Sequence, residues 1–483
     1  MAFNPARLLP TPKLMEVSEG VLCVPASVSA LFAPFQEFAR TLRVSLDKIF
    51  CTTVAEGEGV VLKQDASIQP GAYVIDTTGE QMILAAADDE GIAYAVATAL
   101  QMISVSGEEI VVPMVRIEDA PDKSYRGLMV DLARKWHPAS TVLHYIDVCF
   151  MLKLRYLHLH FMDKQSYTLP SRAFPKLCEP FRHYSYEDIA QFCAYAKARG
   201  VILIPEFEVP GHASVLVRQY PEIFSNVVDD EECATLITEG GEIITANDLI
   251  CAGNPKTADA IRTLLTELCE IFPDSPYIHI GGDEANIKAW NFCTHCRAYM
   301  RERGIKDERE LYSEFTGRVA QMVFDLGRTP IVWEGFPKEG VQYIPKETIV
   351  IAWESHYHLA PDLLDAGFKI INASWQPLYI VPKMHLRWYA KDILNWNVYN
   401  WQHWWKNSPA FLNPIHVPPT DRVLGAQICA WEGIYEQEIG LVMENCAALS
   451  ERLWNLERRD DDGACYRRIS TVVTRISLLI QDV

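Results

Sequence analysis

The residues best suited to chemistry are two adjacent acids, Asp283 and Glu284, which follow an apolar run and two glycines in "YIHIGGDE" (277–284). Neighbouring carboxylates repel each other and are costly to bury, so such a pair needs a purpose. Cleavage of a glycosidic bond usually uses two carboxylates on opposite sides of the bond, about 5 Å or about 6.5–9.5 Å apart. Consecutive acids approach from one side and meet neither separation, unless Glu206 or Glu208 acts as nucleophile.

A second solution needs only one side of the bond. The substrate then supplies the nucleophile, as a 2-acetamido group can through its carbonyl oxygen. One enzyme carboxylate acts as the acid, and its neighbour orients the amide. An adjacent acid pair fits this division of labour.

The surrounding secondary-structure elements must position the pair, and these elements alternate regularly along the chain. From Tyr125 onward, eight apolar strand-like runs alternate with helical segments. Eight such units predict a (β/α)₈ barrel, with a doubly wound open sheet as the alternative. The runs are 125–132, 155–161, 201–207, 277–283, 330–335, 349–354, 368–374 and 422–432.

Polar and aromatic residues cluster where these predicted strands end. In a barrel the chemistry lies at the C-terminal ends of the strands. Acids together with indole rings suit a sugar, because hydroxyls need hydrogen-bond partners and the apolar ring faces pack on aromatic side chains. The strand-end residues are Asp131, Arg134, His160, Asp163, Glu206, Glu208, Asp283, Glu284, Trp333, Trp353, Trp431 and Glu432.

Five segments of the chain resemble glycoside hydrolase family 20, the β-N-acetylhexosaminidases. They occur in the family's order between about Tyr125 and about Asn455, and the preceding residues resemble, more weakly, the family's small α/β domain. The segments are "RGLMVDLAR", "LHLHFMDKQ", "IPEFEVPGHA", "HIGGDE" and "AWEG". The resemblance implies a retaining exo-enzyme that removes terminal β-linked GlcNAc or GalNAc through an oxazolinium intermediate, without a cofactor.

The resemblance also implies a role for each matching residue. Glu284 is the general acid and then the base that activates water, while Asp283 receives the acetamido N–H. The other implied roles are a hydrogen bond to the acetamido carbonyl from Tyr379, sugar hydroxyl contacts from Arg126 and Glu432, an Asp–His pair formed by Asp163 and His212, and walls formed by Trp333, Trp353 and Trp431.

Three positions depart from the family's pattern. Lys164 stands where a second acid often follows Asp163, and Val381 stands where an Asp often follows the tyrosine. Glu432 follows Trp431 directly, whereas the family usually separates the two by one more residue. These departures leave the preference between gluco and galacto sugars open.

The role of Glu284 carries a requirement for its ionisation. A general acid must hold its proton near neutral pH. We expect apolar walls and the nearby Asp283 carboxylate to raise the pKa of Glu284.

The chain divides into two predicted domains. Residues 1–120 read as a small α+β domain, with short strand-like runs around a helical segment, "DEGIAYAVATALQMIS". Residues 121–483 form the predicted barrel domain. The boundary falls in "EDAPDKSY" (118–125), where proline and charge separate two apolar strands.

Composition narrows the possible partners. The net charge of −19 and the pI of about 5.2 argue against nucleic acid or an anionic membrane surface. No run of 18 apolar residues predicts a membrane span, and the N-terminus lacks the apolar core of a signal peptide. With 13 scattered cysteines, we expect reduced thiols and a cytoplasmic location. Oligomeric state does not follow from the sequence.

Three further motifs contain residue types that often bind metals or ligands. "CTHC" (293–296) has the spacing of a zinc site but no second cysteine pair nearby, so no metal is predicted. "HLH" (158–160) lies within a strand, where a structural role for His158 is favoured. The tryptophan-rich segment 395–407 is either a sugar platform or an oligomer contact.

Three alternatives to the implied exo-enzyme stay open. One is a member of the same family that releases a disaccharide. Another is a metal-dependent barrel hydrolase that uses His158, His160 and Asp283. The last is a sugar-binding protein without catalysis, although binding alone needs no acid pair.

Overall fold

A mixed sheet with two helices forms the first part of the chain in the computed structural model, which describes residues 7–237, 243–382, 384, 386–457 and 461–481. The strand order is β1-β8-β5-β6-β4-β2-β3, and β7 pairs with β8. The predicted small α+β domain is confirmed; its boundary at residue 120 stays a prediction. The elements are β1 (Leu14–Pro25), β2 (Ser27–Ala30), α1 (Gln36–Phe50), β3 (Ala55–Glu56), β4 (Val60–Gln64), β5 (Tyr73–Asp76), β6 (Met82–Ala86), α2 (Asp89–Met102), β7 (Ser104–Ser106) and β8 (Glu109–Asp119).

Helix α2 joins this sheet to the rest of the molecule. The Asp88 carboxylate caps its start by accepting from the Gly91 N–H at 2.8 Å. Twelve of its 14 residues are buried, because it packs against β6, α1 and the first barrel helix, α3 (Ala139–Met151). A helix covered on all sides is part of a core and not of a surface.

Eight parallel strands close into the predicted barrel. β17 pairs with β21 and β21 pairs with β9, so the sheet has no free edge and the open-sheet alternative is excluded. Each strand coincides with one of the eight predicted runs. The strands are β9 (Tyr125–Asp131), β10 (Tyr156–His160), β11 (Ile202–Glu206), β14 (Tyr277–His279), β15 (Thr329–Trp333), β16 (Ile349–Ala352), β17 (Lys369–Asn372) and β21 (Val423–Ala430).

Helices and short strands fill the connections between the barrel strands. No described helix is long and apolar enough to cross a membrane. The helices after α3 are α4 (Tyr186–Lys197), α5 (Ser214–Gln219), α6 (Pro221–Phe224), α7 (Pro255–Ile271), α8 (Thr294–Arg303), α9 (Glu308–Asp325), α10 (Ala360–Asp365), α11 (Trp375–Leu378), α12 (Ala390–Leu394), α13 (Tyr435–Trp454) and α14 (Asp462–Leu479). The short strands are β12 (Leu236–Ile237), β13 (Ile243–Ile244), β18 (Tyr379–Ile380), β19 (Asn400–Trp401) and β20 (Ile415–His416).

The interior of the barrel has its own apolar cluster, separate from the core between strands and helices. Met129, Ile331 and Ile351 belong to it, and Trp333 and Trp353 belong to it as well. Because both tryptophans end barrel strands or directly follow them, the cluster continues into the floor of the mouth. The core of the barrel thereby supports the site from below.

Candidate active site

Two glycines after strand β14 turn the chain so that both acids enter the barrel mouth. Gly281 and Gly282 have φ of 69° and 96°, and Glu284 follows with φ of 42°. A Cβ atom on Gly281 would lie 2.0 Å from Glu208 Oε1, so only glycine fits there. The Gly282 N–H donates to the same oxygen at 3.0 Å. The turn explains the "GGDE" sequence, because it directs Asp283 and Glu284 into one cavity.

This cavity brings together most of the predicted site residues. It contains one cation, three carboxylates and a wall of aromatic rings. Trp375 and Arg134 are present although no role was predicted for them. The lining residues are Arg134, Asp283, Glu284, Trp333, Trp353, Trp375, Tyr379, Val381, Trp431 and Glu432.

The three predicted tryptophans form a connected wall. The ring centroids of Trp333 and Trp353 are 6.3 Å apart, and those of Trp333 and Trp431 are 6.0 Å apart. Trp333 Nε1 donates to Glu206 Oε1 at 2.6 Å, and Trp353 Nε1 donates to Glu334 O at 2.8 Å. With these N–H groups held from behind, the ring faces are fixed toward the cavity.

Tyr379 completes the aromatic wall. Its strand β18 pairs with β21 next to Cys429, which holds the tyrosine at the barrel mouth. Its ring stacks on Trp375 with centroids 4.1 Å apart and on Trp353 at 6.1 Å. Burial raises its pKa well above its ordinary value, so the phenol keeps its proton and acts as a hydrogen-bond donor.

His212 links the acid pair to buried charges behind the cavity. Its Nε2 lies 3.3 Å from Glu284 Oε2 and 3.7 Å from Asp283 Oδ2, and its Nδ1 lies 3.3 Å from Asp163 Oδ1. Burial alone would lower the pKa of His212, but the Asp163 carboxylate and the acid pair raise it well above its ordinary value. The imidazolium of His212, paired with the Asp163 carboxylate, therefore presents a positive charge to both acids.

The two acids respond differently to this charge. Burial, together with the neighbouring Glu284 carboxylate, raises the pKa of Asp283 to about 6, although His212 opposes the shift. Burial also favours protonated Glu284, but the hydrogen bond from His212 outweighs it and lowers the pKa of Glu284. The expectation of a raised Glu284 pKa is therefore wrong for this structure, because it did not include the positive charge of His212. About half of the Glu284 side chain is exposed, at 51%, against 12% for Asp283.

One carboxylate oxygen of Asp283 has no hydrogen-bond partner among the described residues. Asp283 Oδ1 is buried, and no hydrogen-bond donor among the described residues reaches it. A buried acceptor without a partner costs about 1–3 kcal/mol and marks a place where a ligand group is expected.

Arg126 does not reach the cavity, which contradicts its predicted contact with sugar hydroxyls. It is the second residue of β9, at the N-terminal end of the barrel, and its side chain is fully buried. The guanidinium donates to Lys153 O at 3.0 Å and to the Tyr94 hydroxyl of α2. The motif match predicted an arginine in the site, but it selected the one at the N-terminal end of β9 and not the one at the C-terminal end.

Arg134, just beyond the other end of β9, is the arginine in the cavity. Its guanidinium lies 2.7 Å from Asp163 Oδ2 and 3.4 Å from Asp131 Oδ2, and 4.7 Å above the Trp431 ring. These contacts fix its orientation beside Asp283 and Glu284. The rule that barrel sites lie at C-terminal strand ends places Arg134 among the strand-end residues, although the sequence assigned it no role.

Glu432 lines the cavity, and its contact with a sugar hydroxyl stays a prediction. Its backbone N–H donates to Asp131 Oδ2 at 3.2 Å, and its φ of 54° is unusual for a residue with a side chain. The carboxylate of Asp131 thus holds the backbone on which Glu432 and Arg134 stand.

Glu206 and Glu208 do not line the cavity, so neither is placed to act as nucleophile. Glu206 is fully buried and accepts from Trp333, while the rings of three histidines surround it. Glu208 faces the Gly282 N–H, and burial with the nearby Asp283 carboxylate raises its pKa well above the ordinary value. The three histidines are His158, His160 and His279.

The structure does not bring together the three residues that the metal-dependent alternative requires. His158 Nε2 lies 3.1 Å from Glu206 Oε2, and His160 Nδ1 contacts the same oxygen. Asp283 instead belongs to a group with His212 and Glu284. The set His158, His160 and Asp283 is not brought together.

Glu334 is a buried acid that the sequence analysis missed. Its carboxylate accepts five backbone N–H groups at 2.9–3.3 Å, which fixes the loop that carries Trp353. Burial raises its pKa to about 7, although these donors oppose the shift. No motif marks it; its position after "PIVW" at the end of β15 is the only signal.

The tryptophan-rich segment 395–407 packs mainly against the barrel. Trp401 is fully buried and donates to Ala352 O at 2.9 Å, while Trp396 is 8% exposed. Trp404 is half-buried and lies edge-on to Trp375, with centroids 5.8 Å apart. Part of this segment is therefore core, and Trp404 packs against a residue of the cavity wall.

Comparison with known proteins gives the same picture. The family model described as glycosyl hydrolase family 20, catalytic domain, matches residues 124–457, and the model for domain 2 of that family matches residues 6–120. A β-hexosaminidase of Akkermansia muciniphila is 32% identical over 332 residues, 65% of each chain. A β-hexosaminidase of Vibrio furnissii is 27% identical over 77% of this chain and 63% of its own. The chain thus spans about two thirds of the length of these relatives.

Solved structures support the fold. The exo-β-N-acetylglucosaminidase of Vibrio harveyi, solved with N-acetylglucosamine, superposes with a TM-score of 0.85 at 22% identity, over 98% of this chain and 78% of that one. The β-hexosaminidase of Streptomyces plicatus, a mutant solved with the product GlcNAc, gives a TM-score of 0.75 at 17% identity, over 99% and 96%. The catalytic-domain model alone covers more than half of the sequence, and the chain belongs to glycosyl hydrolase family 20.

Proposed function

We propose that this protein is a retaining exo-β-N-acetylhexosaminidase that releases terminal β-linked GlcNAc or GalNAc by substrate-assisted catalysis. The observation that carries the proposal is the buried, unpartnered Asp283 Oδ1 beside Glu284 in an aromatic cavity. An acetamido N–H supplies the donor that this oxygen lacks. Related β-hexosaminidases support the assignment.

The first step forms a ring on the substrate. The acetamido carbonyl oxygen attacks the anomeric carbon, the bond to the leaving oxygen breaks, and Glu284 gives its proton to that oxygen. Asp283 accepts the N–H and stabilises the positive oxazolinium. Tyr379, protonated as its raised pKa requires, donates to the acetamido oxygen, and the indoles of Trp333 and Trp353 enclose the methyl group.

The second step restores the enzyme. Glu284, now ionised, takes a proton from water, which attacks the anomeric carbon while the bond to the acetamido oxygen breaks. Two inversions give net retention. His212 keeps Glu284 ionised in this structure, so the acid must gain its proton when substrate binds. An ionised Asp283 favours this, because its charge raises the pKa of the neighbouring carboxyl.

Arg134 takes the role first predicted for Arg126. Its guanidinium is held in the cavity by Asp163 and Asp131, with N–H groups available to sugar hydroxyls. Glu432 is the candidate for a contact to the O4 or O6 hydroxyl. The choice between GlcNAc and GalNAc depends on these two side chains.

The test is hydrolysis of aryl β-GlcNAc, β-GalNAc and β-glucoside by the wild type and by Glu284→Gln. We expect cleavage of the acetamido sugars only, reduced by about 10²-fold or more in the variant. Cleavage of the glucoside at a similar rate would require a protein nucleophile, such as Glu432, and would refute substrate assistance. No cleavage of any aryl sugar, with binding of N-acetylglucosamine retained, would favour the sugar-binding alternative.

A further inference from the structure

Three buried cysteines from two separate loops meet beside the acid-bearing segment. Cys251 lies before α7, Cys293 directly precedes α8, and Cys296 lies in the first turn of α8. All three are 0% exposed. Cys251 Sγ is 3.6 Å from Cys293 Sγ and 3.6 Å from Cys296 Sγ. The fold thus adds a third thiol to the "CTHC" motif.

These distances match the spacing of thiolates around one metal ion. Tetrahedral zinc binds thiolate sulfur at about 2.3 Å, which places two ligand sulfurs about 3.8 Å apart. The three sulfurs all lie within 4.8 Å of one another. The three sulfurs therefore lie close enough to share one ion.

Asn226 faces the cluster from a third direction and offers a fourth ligand. Its Oδ1 lies 3.9 Å from Cys296 Sγ, close to the roughly 3.6 Å expected between sulfur and oxygen ligands of tetrahedral zinc. Its amide nitrogen donates to Ala246 O at 2.8 Å and Leu249 O at 2.9 Å, which fixes the amide with its oxygen beside Cys296 Sγ. His295 of the motif is exposed and outside the cluster.

The backbone around the sulfurs is arranged for the same purpose. Gly253 packs so closely on the 293–296 turn that a Cβ atom would lie 2.5 Å from His295 O. Backbone N–H groups of Val227 and Cys296 point at Cys293, and that of Gly253 points at Cys251. Such donors to sulfur stabilise thiolates and are typical of the surroundings of metal ligands.

We propose that Cys251, Cys293 and Cys296 bind one Zn²⁺ ion, with Asn226 Oδ1 in the fourth position. Each thiol loses its proton as the metal binds. The ion would join the loop before α7 to the segment that follows Asp283 and Glu284, and so has a structural and positioning role. The inference does not depend on the proposed reaction, and it replaces the expectation that this chain holds no metal.

Metal content of the full-length protein tests the proposal. Protein purified without chelator, under reducing conditions, is measured by elemental mass spectrometry and by native mass spectrometry. We expect about one zinc per chain. Cys251→Ser and the double variant Cys293→Ser/Cys296→Ser should each lose it. The matched control is Cys233→Ser, an exposed cysteine near the cluster in sequence but outside it, which should keep its zinc.

A second measurement uses only the wild-type protein, so it does not depend on whether the cysteine variants fold. Wild-type protein is exchanged into Co²⁺, and its spectrum should show thiolate-to-cobalt charge transfer with tetrahedral d–d bands. Wild-type protein without metal after zinc reconstitution overturns the proposal. So does an intact mass lower by about 2 Da without zinc, which would reveal a disulfide among the three cysteines. Zinc retained in both cysteine variants also overturns it.

Discussion

Two arginines, one at each end of strand β9, lie in very different surroundings. Arg126, at the N-terminal end, is fully buried among Lys153 O, the Tyr94 hydroxyl and other backbone oxygens. Arg134, at the C-terminal end, lies between Asp163 and Asp131 in the cavity. Both are ordered by hydrogen bonds, but only Arg134 lines the cavity with Asp283 and Glu284.

The difference extends to the acids around each arginine. At the N-terminal end, Asp119 accepts from Tyr73 at 2.7 Å and Trp454 at 2.8 Å, with Lys153 at 3.5 Å. At the C-terminal end, Asp283 Oδ1 is buried without a donor among the described residues. Buried polar groups with all partners present stabilise a fold, whereas an unpartnered acceptor that also lines a cavity can receive a donor from a ligand.

The largest expected effect is that of Asp283→Asn on catalysis. Loss of the acceptor for the acetamido N–H and of the charge beside the oxazolinium should lower kcat on aryl β-GlcNAc by about 10²–10³-fold. Asp119→Asn is the matched control at the other end of the barrel. It should lower the free energy of unfolding and leave kcat of the folded enzyme unchanged.

The same substitution should stabilise the protein. The folded-state pKa of Asp283 is about 6, above the ordinary 3.8, so its ionisation costs stability as pH rises through that range. An asparagine does not ionise. Urea unfolding at pH 8 should show a gain of about 1–3 kcal/mol for Asp283→Asn, which disappears at pH 4. A loss of stability at pH 8 would contradict the assignment of Asp283 as an unsatisfied functional group.

The same substitution at each arginine compares the two ends of strand β9. Arg134→Lys keeps the charge but loses the planar fork, and we expect kcat/KM to fall about 10–100-fold with little change in stability. Arg126→Lys should lower the free energy of unfolding by about 2–4 kcal/mol, because buried acceptors lose their donors. Its kcat/KM should match the wild type. Equal effects of both variants on kcat/KM would remove the distinction between the two ends.

The pH dependence should report Asp283. At saturating substrate, where Glu284 has gained its proton, kcat should fall as pH drops below about 6, because a protonated Asp283 no longer stabilises positive charge. In His212→Asn the cation that lowers the pKa of Asp283 is gone, so this acidic limb should move to higher pH. The exposed His416→Asn is the control and should leave the profile in place. A limb that moves downward in His212→Asn would refute the electrostatic coupling.

The smallest effect is expected at Trp375. Trp375→Phe keeps a ring against Tyr379 but loses the N–H donated to Glu354 Oε2 at 3.0 Å. We expect KM to rise about two- to tenfold, the range of one hydrogen bond, with kcat nearly unchanged. Trp136→Phe, a stacked and partly exposed tryptophan outside the cavity, serves as control. An unchanged KM would show that Trp375 only supports the wall.

The barrel was predictable because its strands carry a strong local signal. Runs such as "RYLHLHF" and "VILIPEF" are too apolar for one-sided burial, and their regular alternation with helices leaves few architectures. The first domain was predicted less completely. Helix α1 and strands β1, β2 and β4 were not identified, since their local sequence patterns are weak and their pairing is specified by tertiary contacts.

The site was predictable where a strand end marks it. Asp283, Glu284 and the three strand-end tryptophans meet in the cavity because strand ends meet there. The predicted sugar contact of Arg126 was wrong because a motif match does not say at which end of a strand the residue lies. The predicted rise in the pKa of Glu284 was wrong because the expectation included the apolar walls and Asp283 but not the charge of His212. That charge depends on the distances from His212 to Asp163 and to the acid pair, which local sequence spacing does not give.

Helix α2, buried on nearly all sides, has a consequence for any attempt to shorten this protein. It covers α3 of the barrel on one side and its own sheet on the other. A chain trimmed to the barrel would expose the apolar face of α3 and leave the Arg126 guanidinium without the Tyr94 hydroxyl. Such a fragment is expected to aggregate, so the first domain serves as an external wall of the barrel.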